Sequence, residues 1–178
     1  MHRPLSRFPC HRREDNLDFM SDVLLKITGD VESPRELTFA DLAAMDASQQ
    51  IADVRQMAAG RKGDAVRLAG LLALVKPKAD ARYLNLHATA DNFHASIPLS
   101  AVTEKAIVIY RLDGQPLSVK AGGPVRFFIP DHKACHTDEI DECANVKFVD
   151  TIELAATRGF DNRPHDEKEH AELHAKEH

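Results

Sequence analysis

Two groups of residues in the second half of the chain have the types and spacing to do chemistry. The first is a Gly-Gly-Pro turn, Gly122, Gly123 and Pro124, followed by Arg126 and, further on, Lys147. Glycines permit positive φ and let a ligand approach the backbone closely. Proline stiffens such a turn, and an arginine fixed just beyond it is a bidentate cation suited to phosphate. Lys147 adds a point charge. The chemistry expected there is recognition of an anionic small molecule. The second group is His132, Cys135, His136 and Cys143 in a polar loop. Two nitrogens and two sulfurs are the donor set that tetrahedral Zn²⁺ favours. Only His132 and Cys135 have a common ligand spacing. Cys135 and His136 are adjacent, and Cys143 returns alone. Ordinary side chains in a polar loop is therefore the plainer reading, and a redox-active thiol pair is a third. Acidic neighbours (Asp138, Glu139, Asp141, Glu142) are expected to raise both thiol pKa values without metal.

Other candidates are less specific. His170, His174 and His178 recur every four residues, which on a helix would place them on one face, yet a charged tail of this kind is more often merely solvated. Arg61 and Lys62 sit in a glycine-flanked loop, where solvent-exposed charge is the plain reading and a contact to an anionic cofactor the sharper one. His87 and His94 face each other across a short hairpin, as structural residues or as part of a ligand cavity. Phosphate-loop, dinucleotide-binding, nucleophile-elbow and zinc-protease motifs are all absent.

The elements that must position these residues are short. Residues 23–31 alternate, with Val23, Leu25 and Ile27 expected inward, and Gly29-Asp30 ends that strand. Thr38 is a helix N-cap, with Asp41 as the acidic partner of a capping box. Residues 49–57 fit either period. Residues 66–75 read as an apolar helix with Leu68, Leu71, Leu72 and Val75 on one face, stopped by Pro77. Residues 82–87 and 94–97 form a hairpin, 107–110 a buried strand ending at the Asp113-Gly114 turn, and 147–154 a closing strand.

The 178-residue length suits one domain with a real core. A net charge of −5 does not favour nucleic acid or an anionic membrane surface. No apolar run approaches the roughly 20 residues needed to cross a bilayer. Three cysteines, with no recognisable export signal, argue against a disulfide framework, and a cytoplasmic protein is expected. Residues 1–19 read as a disordered extension, and an over-long gene start would account for them, since Met20 opens directly onto a strand. Residues 20–156 read as the domain, and 157–178 as a polar, His-rich tail without a core.

Four segments carry a resemblance to a known family. LKITGDVESPRELTFADLAAM is similar to the opening strand, turn and short helix of the molybdopterin-binding domain of the sulfite oxidase family. AVRLAGLLALV resembles its apolar helix, and NVKF its V-K-W element. YRLDGQPLSVKAGGPVRFFIP is the most specific match, because the spacing from Asp113-Gly114 through Pro116 to Pro124 and Arg126 is kept. The resemblance spans about Leu25 to Leu154. It implies an α+β, sulfite-oxidase-like molybdopterin-binding fold with mixed β-sheets and short helices. It also implies an oxidoreductase-type domain with a molybdopterin cofactor, held at its phosphate by Gly122, Gly123, Arg126 and Lys147, and an electron-transfer partner. This sequence has Ala121 where the family has a histidine before the Gly-x-Pro, and Phe148 where it has tryptophan. The family's molybdenum-binding cysteine would fall within Ile51 to Val54, where there is none. Asp53 offers only a hard carboxylate in place of the soft thiolate. The resemblance thus implies cofactor binding more directly than catalysis. A pseudoenzyme, a non-catalytic module on the same fold holding Zn²⁺ or another metal through the Cys/His loop, is the alternative.

Overall fold

A computed structural model describes residues 22–164. The N-terminal extension with Cys10, and the histidines at 170, 174 and 178, lie outside the described residues. The chain folds into two five-stranded sheets joined by short helices. The first sheet has the order β2 (Arg35–Thr38), β1 (Val23–Gly29), β10 (Thr151–Ala155), β5 (Tyr83–Ala88), β6 (Phe93–Pro98). β1 and β10 run parallel and the other pairs antiparallel. The second sheet contains β3 (Gln50–Ile51), β4 (Asp64–Arg67), β7 (Ile107–Leu112), β8 (Gln115–Pro116) and β9 (Arg126–Phe128), all antiparallel and gathered around β7. The helices are α1 (Phe39–Ala43), α2 (Leu68–Val75) and α3 (Leu99–Val102). The mixed sheets and short helices expected from the sequence are therefore present.

Alternation decides what each face buries. Leu25 and Ile27 of β1 lie in the core, as do Leu84 and Leu86 of β5 and Ile152 and Leu154 of β10. Val23 departs from expectation and is exposed, because a register shift between Val23 and Leu25 turns the first residue outward while Leu24 goes in. The Thr38 capping box forms as expected: its hydroxyl accepts from the Asp41 amide, and the Asp41 carboxylate accepts from the Thr38 amide at 2.8 Å. The predicted helix over 66–75 is corrected at its start. Residues 64–67 extend as β4 against β7, and the helix begins at Leu68, burying Leu68, Leu71, Leu72 and Val75. The apolar run around Val66 suits either period, so the pattern alone does not separate the strand end from the helix start. The closing strand likewise begins only at Thr151, since Phe148 adopts a φ of 58°.

The second sheet has two apolar faces. Val66, Val108, Tyr110 and Phe127 belong to the main core shared with the first sheet. Ala65, Ile107, Ile109 and Phe128 face the other way and pack with Ile51, Val54 and Leu117 into a second, smaller cluster.

Residues 157–164 are not a free tail. They lie along the outward face of β5 and β6, where Asn85 and Ser96 are buried although polar. The Ser96 hydroxyl donates to Asn85 Oδ1 at 2.6 Å and accepts the Gly159 amide at 3.0 Å. The Asp161 carboxylate accepts the Ser96 amide and is gripped by Arg163, whose terminal nitrogen lies 2.7 Å away. Arg163 also donates to the Glu139 carbonyl at 3.0 Å, which ties the Cys/His loop to the first sheet. Burial disfavours the Asp161 charge, but hydrogen bonds from Arg163 and its positive charge outweigh that and hold the carboxyl down to about 2. Among the described residues, no helix is long and apolar enough to cross a membrane.

Candidate functional site

The Gly-Gly-Pro turn is assembled by backbone geometry. After β8 a single 3-10 turn (Val119–Ala121) is capped by Ser118, and Gly122 follows at φ +90°. The Gly122 and Gly123 amides donate back to the Val119 and Ser118 carbonyls, each at 2.9 Å. A Cβ on Gly123 would sit 2.1 Å from the Leu117 carbonyl oxygen, so no side chain fits. A Cβ on Gly122 would lie 3.0 Å from Arg126 Cδ and 3.3 Å from Lys147 Cγ. Gly122 is therefore the floor on which two cationic stems converge.

Lys147 reaches this point through a second chain segment running antiparallel to the first. Val146 and Phe127 exchange backbone hydrogen bonds at 2.9 and 3.1 Å. The Val149 amide donates to Val125, and the Phe148 amide to Gly122. Arg126, opposite Ile109 on β7, alternates with Phe127 and so shares a face with Phe128, the face of the smaller apolar cluster. Among the described residues Arg126 has no carboxylate partner. Burial lowers its pKa, and the charge of Arg61 lowers it further. The Arg61 guanidinium lies 5.3 Å from the Phe128 ring centroid.

The position expected for a metal-binding cysteine lies on the same side. Ile51 and Val54 pack in the smaller cluster, while Asp53 takes φ +65° and ion-pairs with Arg55 at 2.7 Å. Asp53 is thus committed to its neighbour.

The Cys/His loop is placed elsewhere. Cys135 is buried in the main core, on the opposite side of the second sheet from Arg126. Cys143 lies beside Asp141 and Arg163 towards the first sheet. The two cysteines are free thiols. Burial raises both thiol pKa values, with Asp131 adding to it at Cys135 and Asp141 at Cys143. The direction matches the sequence expectation, but desolvation leads the acidic neighbours. Among the described residues, no three His, Cys, Asp or Glu side chains are grouped to hold a metal ion. The set His132, Cys135, His136 and Cys143 is therefore not assembled: Cys135 turns into the core while His136, at φ +54°, is exposed. His87 and His94 do meet. Their Nδ1 atoms are 2.8 Å apart, and His87 Nε2 is 3.1 Å from Glu153.

The family model of the oxidoreductase molybdopterin-binding domain matches residues 14–160. The chain belongs to this family. Among solved structures, sulfane dehydrogenase SoxCD from Paracoccus pantotrophus superposes with a TM-score of 0.55 at 21% identity, covering 77% of this chain and 39% of that one. That likeness establishes the sulfite-oxidase-like fold, and the chain spans well under half of that protein's length. No curated protein matches the chain significantly. Within the family frame, the residues present fit the anionic part of a molybdopterin: a glycine floor that any Cβ would crowd, a partly buried arginine without a carboxylate, and a lysine beside it. They do not fit a thiolate-bound metal, because residues 51–54 carry no sulfur and Cys135 is packed in the main core. Arg163 and Asp161 escaped sequence reasoning because a polar segment without apolar periodicity gives no signal of docking.

Proposed function

We propose that this chain is a cofactor-holding domain of a redox protein, in which Arg126 and Lys147 grip the phosphate of a molybdopterin over the Gly122-Gly123 turn. The observation that carries this reading is Arg126 itself. A partly desolvated guanidinium is costly unless it is paired, and among the described residues none of its neighbours is an anion. The charge of Arg61 acts on it, and the Lys147 stem shares the space over Gly122. An anion from outside the chain satisfies all of them together, and a phosphate matches the guanidinium fork.

Bound there, the cofactor would supply metal-centred redox chemistry, with a small-molecule substrate and an electron-transfer partner as the wider context. The chain's own residues supply a narrower set of actions. Arg126 orients the phosphate bidentately, Lys147 neutralises charge, and the turn admits the ligand close to the backbone. The smaller apolar cluster beneath excludes water from one side. Retention of the cofactor then depends on its anionic tail more than on a protein–metal bond.

The test is pterin retention. Arg126→Ala is expected to remove most of the fluorescent pterin released on oxidative denaturation of the purified chain, by roughly tenfold or more if one charged hydrogen-bonding group is lost. Retention equal to the unaltered chain would sink the assignment.

A further inference from the structure

We propose that Arg61, resting on Phe128, is a third cation of this anion site and contacts the same phosphate. The inference rests on the phosphate reading of Arg126 and Lys147 and adds a residue from a different part of the chain.

Among the described residues, the arginines that are partly or fully buried are Arg61, Arg111, Arg126 and Arg163. Arg111 pairs with Asp64 at 2.7 Å, and Arg163 with Asp161 at 2.7 Å. Among the described residues, Arg61 and Arg126 pair with no carboxylate, and these two are neighbours whose charges disfavour one another. Two withdrawn, unpaired, like charges side by side raise the free energy of the empty site, and one dianion between them relieves both.

Arg61 is also held in place. The Val54 amide donates to the Gly63 carbonyl at 2.8 Å, closing the base of its loop, and the Arg61 amide donates to Ala58 at 3.2 Å. Ala58 packs on the smaller cluster, and the guanidinium rests on Phe128, an arrangement that favours a cation over an aromatic face. Phe128 is two residues from Arg126 on β9 and shares its face. Lys62, next in sequence, is exposed. The loop therefore presents one of its two cations to the site and leaves the other in solvent. A phosphate monoester, such as the tail of the pterin, or free phosphate is the class of ligand that three converging cations select.

The full chain, produced in a host that cannot make the pterin, separates the sources. It is titrated with inorganic phosphate at low ionic strength by calorimetry, alongside Arg61→Ala, Arg61→Lys, Lys62→Ala and Arg126→Ala. Phosphate binding is expected to weaken roughly tenfold in Arg61→Ala, partly recover in Arg61→Lys, and stay within about twofold in Lys62→Ala. Equal, small losses in Arg61→Ala and Lys62→Ala, with binding abolished in Arg126→Ala, would overturn the role of Arg61 and leave the Arg126 site standing. Unchanged binding in Arg126→Ala, or no binding to the unaltered chain, would overturn both. In a host that makes the pterin, a lower pterin content of Arg61→Ala than of Lys62→Ala assigns the phosphate to the cofactor, and equal contents restrict the site to free phosphate.

Discussion

Two adjacent glycines carry different burdens at the site, and the difference is testable. Gly123 has backbone atoms against its missing side chain: a Cβ would come to 2.1 Å from the Leu117 carbonyl oxygen and 2.8 Å from its carbon. Those atoms belong to the chain that forms the turn and cannot swing aside. Gly122 faces side-chain stems instead, Arg126 at 3.0 Å and Lys147 at 3.3 Å, and takes a left-handed φ of +90°. Gly123→Ala is therefore expected to cost folding, seen as a large drop in melting temperature or loss of soluble protein. Gly122→Ala is expected to fold with about 1–3 kcal/mol less stability from backbone strain. It should nevertheless lose pterin or phosphate binding, because the added methyl displaces both cations. Melting curves beside binding measurements separate the two effects. Full binding by a folded Gly122→Ala would show that the stems do not need that floor. The turn and the place of Arg126 beyond it were legible in the sequence, because glycines and proline in that order imply the backbone geometry. The place of Arg61 was not, since an arginine in a glycine-flanked loop looks the same whether it points to solvent or lies on a phenylalanine from a distant strand.

The β5–β6 hairpin and the segment laid across it are expected to respond to pH. His87 and His94 occupy paired register positions, and their Nδ1 atoms are close enough that one must donate and the other accept. That bond needs at least one neutral ring. Phe160 packs against His94, the rings tilted with centroids 5.4 Å apart, and Asn162 accepts the His94 amide at 2.7 Å. The charged groups around the pair are Glu153 on His87 and Asp150 nearby, and Asp150 favours the charged His94. Burial still leads, and with the charge of His87 it holds the His94 pKa below its usual value. A depressed histidine pKa means the unfolded chain binds protons first on acidification. Stability from neutral His94 is thus complete above about pH 6.5 and is lost as pH falls through the lower, folded-state value. Melting temperature is expected to fall between pH 7 and pH 5, and amides of residues 157–164 should exchange faster there. His94→Phe keeps an aromatic ring against Phe160 and should flatten that dependence. An unchanged slope in the variant would place the acid sensitivity elsewhere. The strands of this hairpin were legible from alternation, because one face is apolar. The docked segment was not, since its order comes from Asp161, Asn162 and Arg163 meeting partners far away in sequence.

At the scale of the molecule, the second sheet is a partition. One face closes the main core, and the other carries the smaller cluster with Arg126, Phe128 and the loop that supplies Arg61. The position where the family pattern places a metal-binding cysteine lies on that second face, between Ile51 and Val54, and holds none. A thiolate from the Cys/His loop would have to come from across the partition. Cys135 is 6% exposed and packed among main-core residues, with its thiol held protonated by burial. Drawing it to the Arg126 face would mean unpacking the core that β7 and β9 complete. Cys135 is thus separated from the Arg126 face by architecture, which sequence spacing alone cannot reveal. Cys135→Ala is accordingly expected to cost roughly 1 kcal/mol of stability through a small core cavity. Pterin and molybdenum content per chain should stay at the level of the unaltered protein, measured by fluorescence and elemental analysis. Cys143→Ala, beside Arg163, should likewise leave both contents unchanged. Loss of molybdenum from Cys135→Ala at undiminished folding would mean that the loop crosses the partition and supplies the missing thiolate.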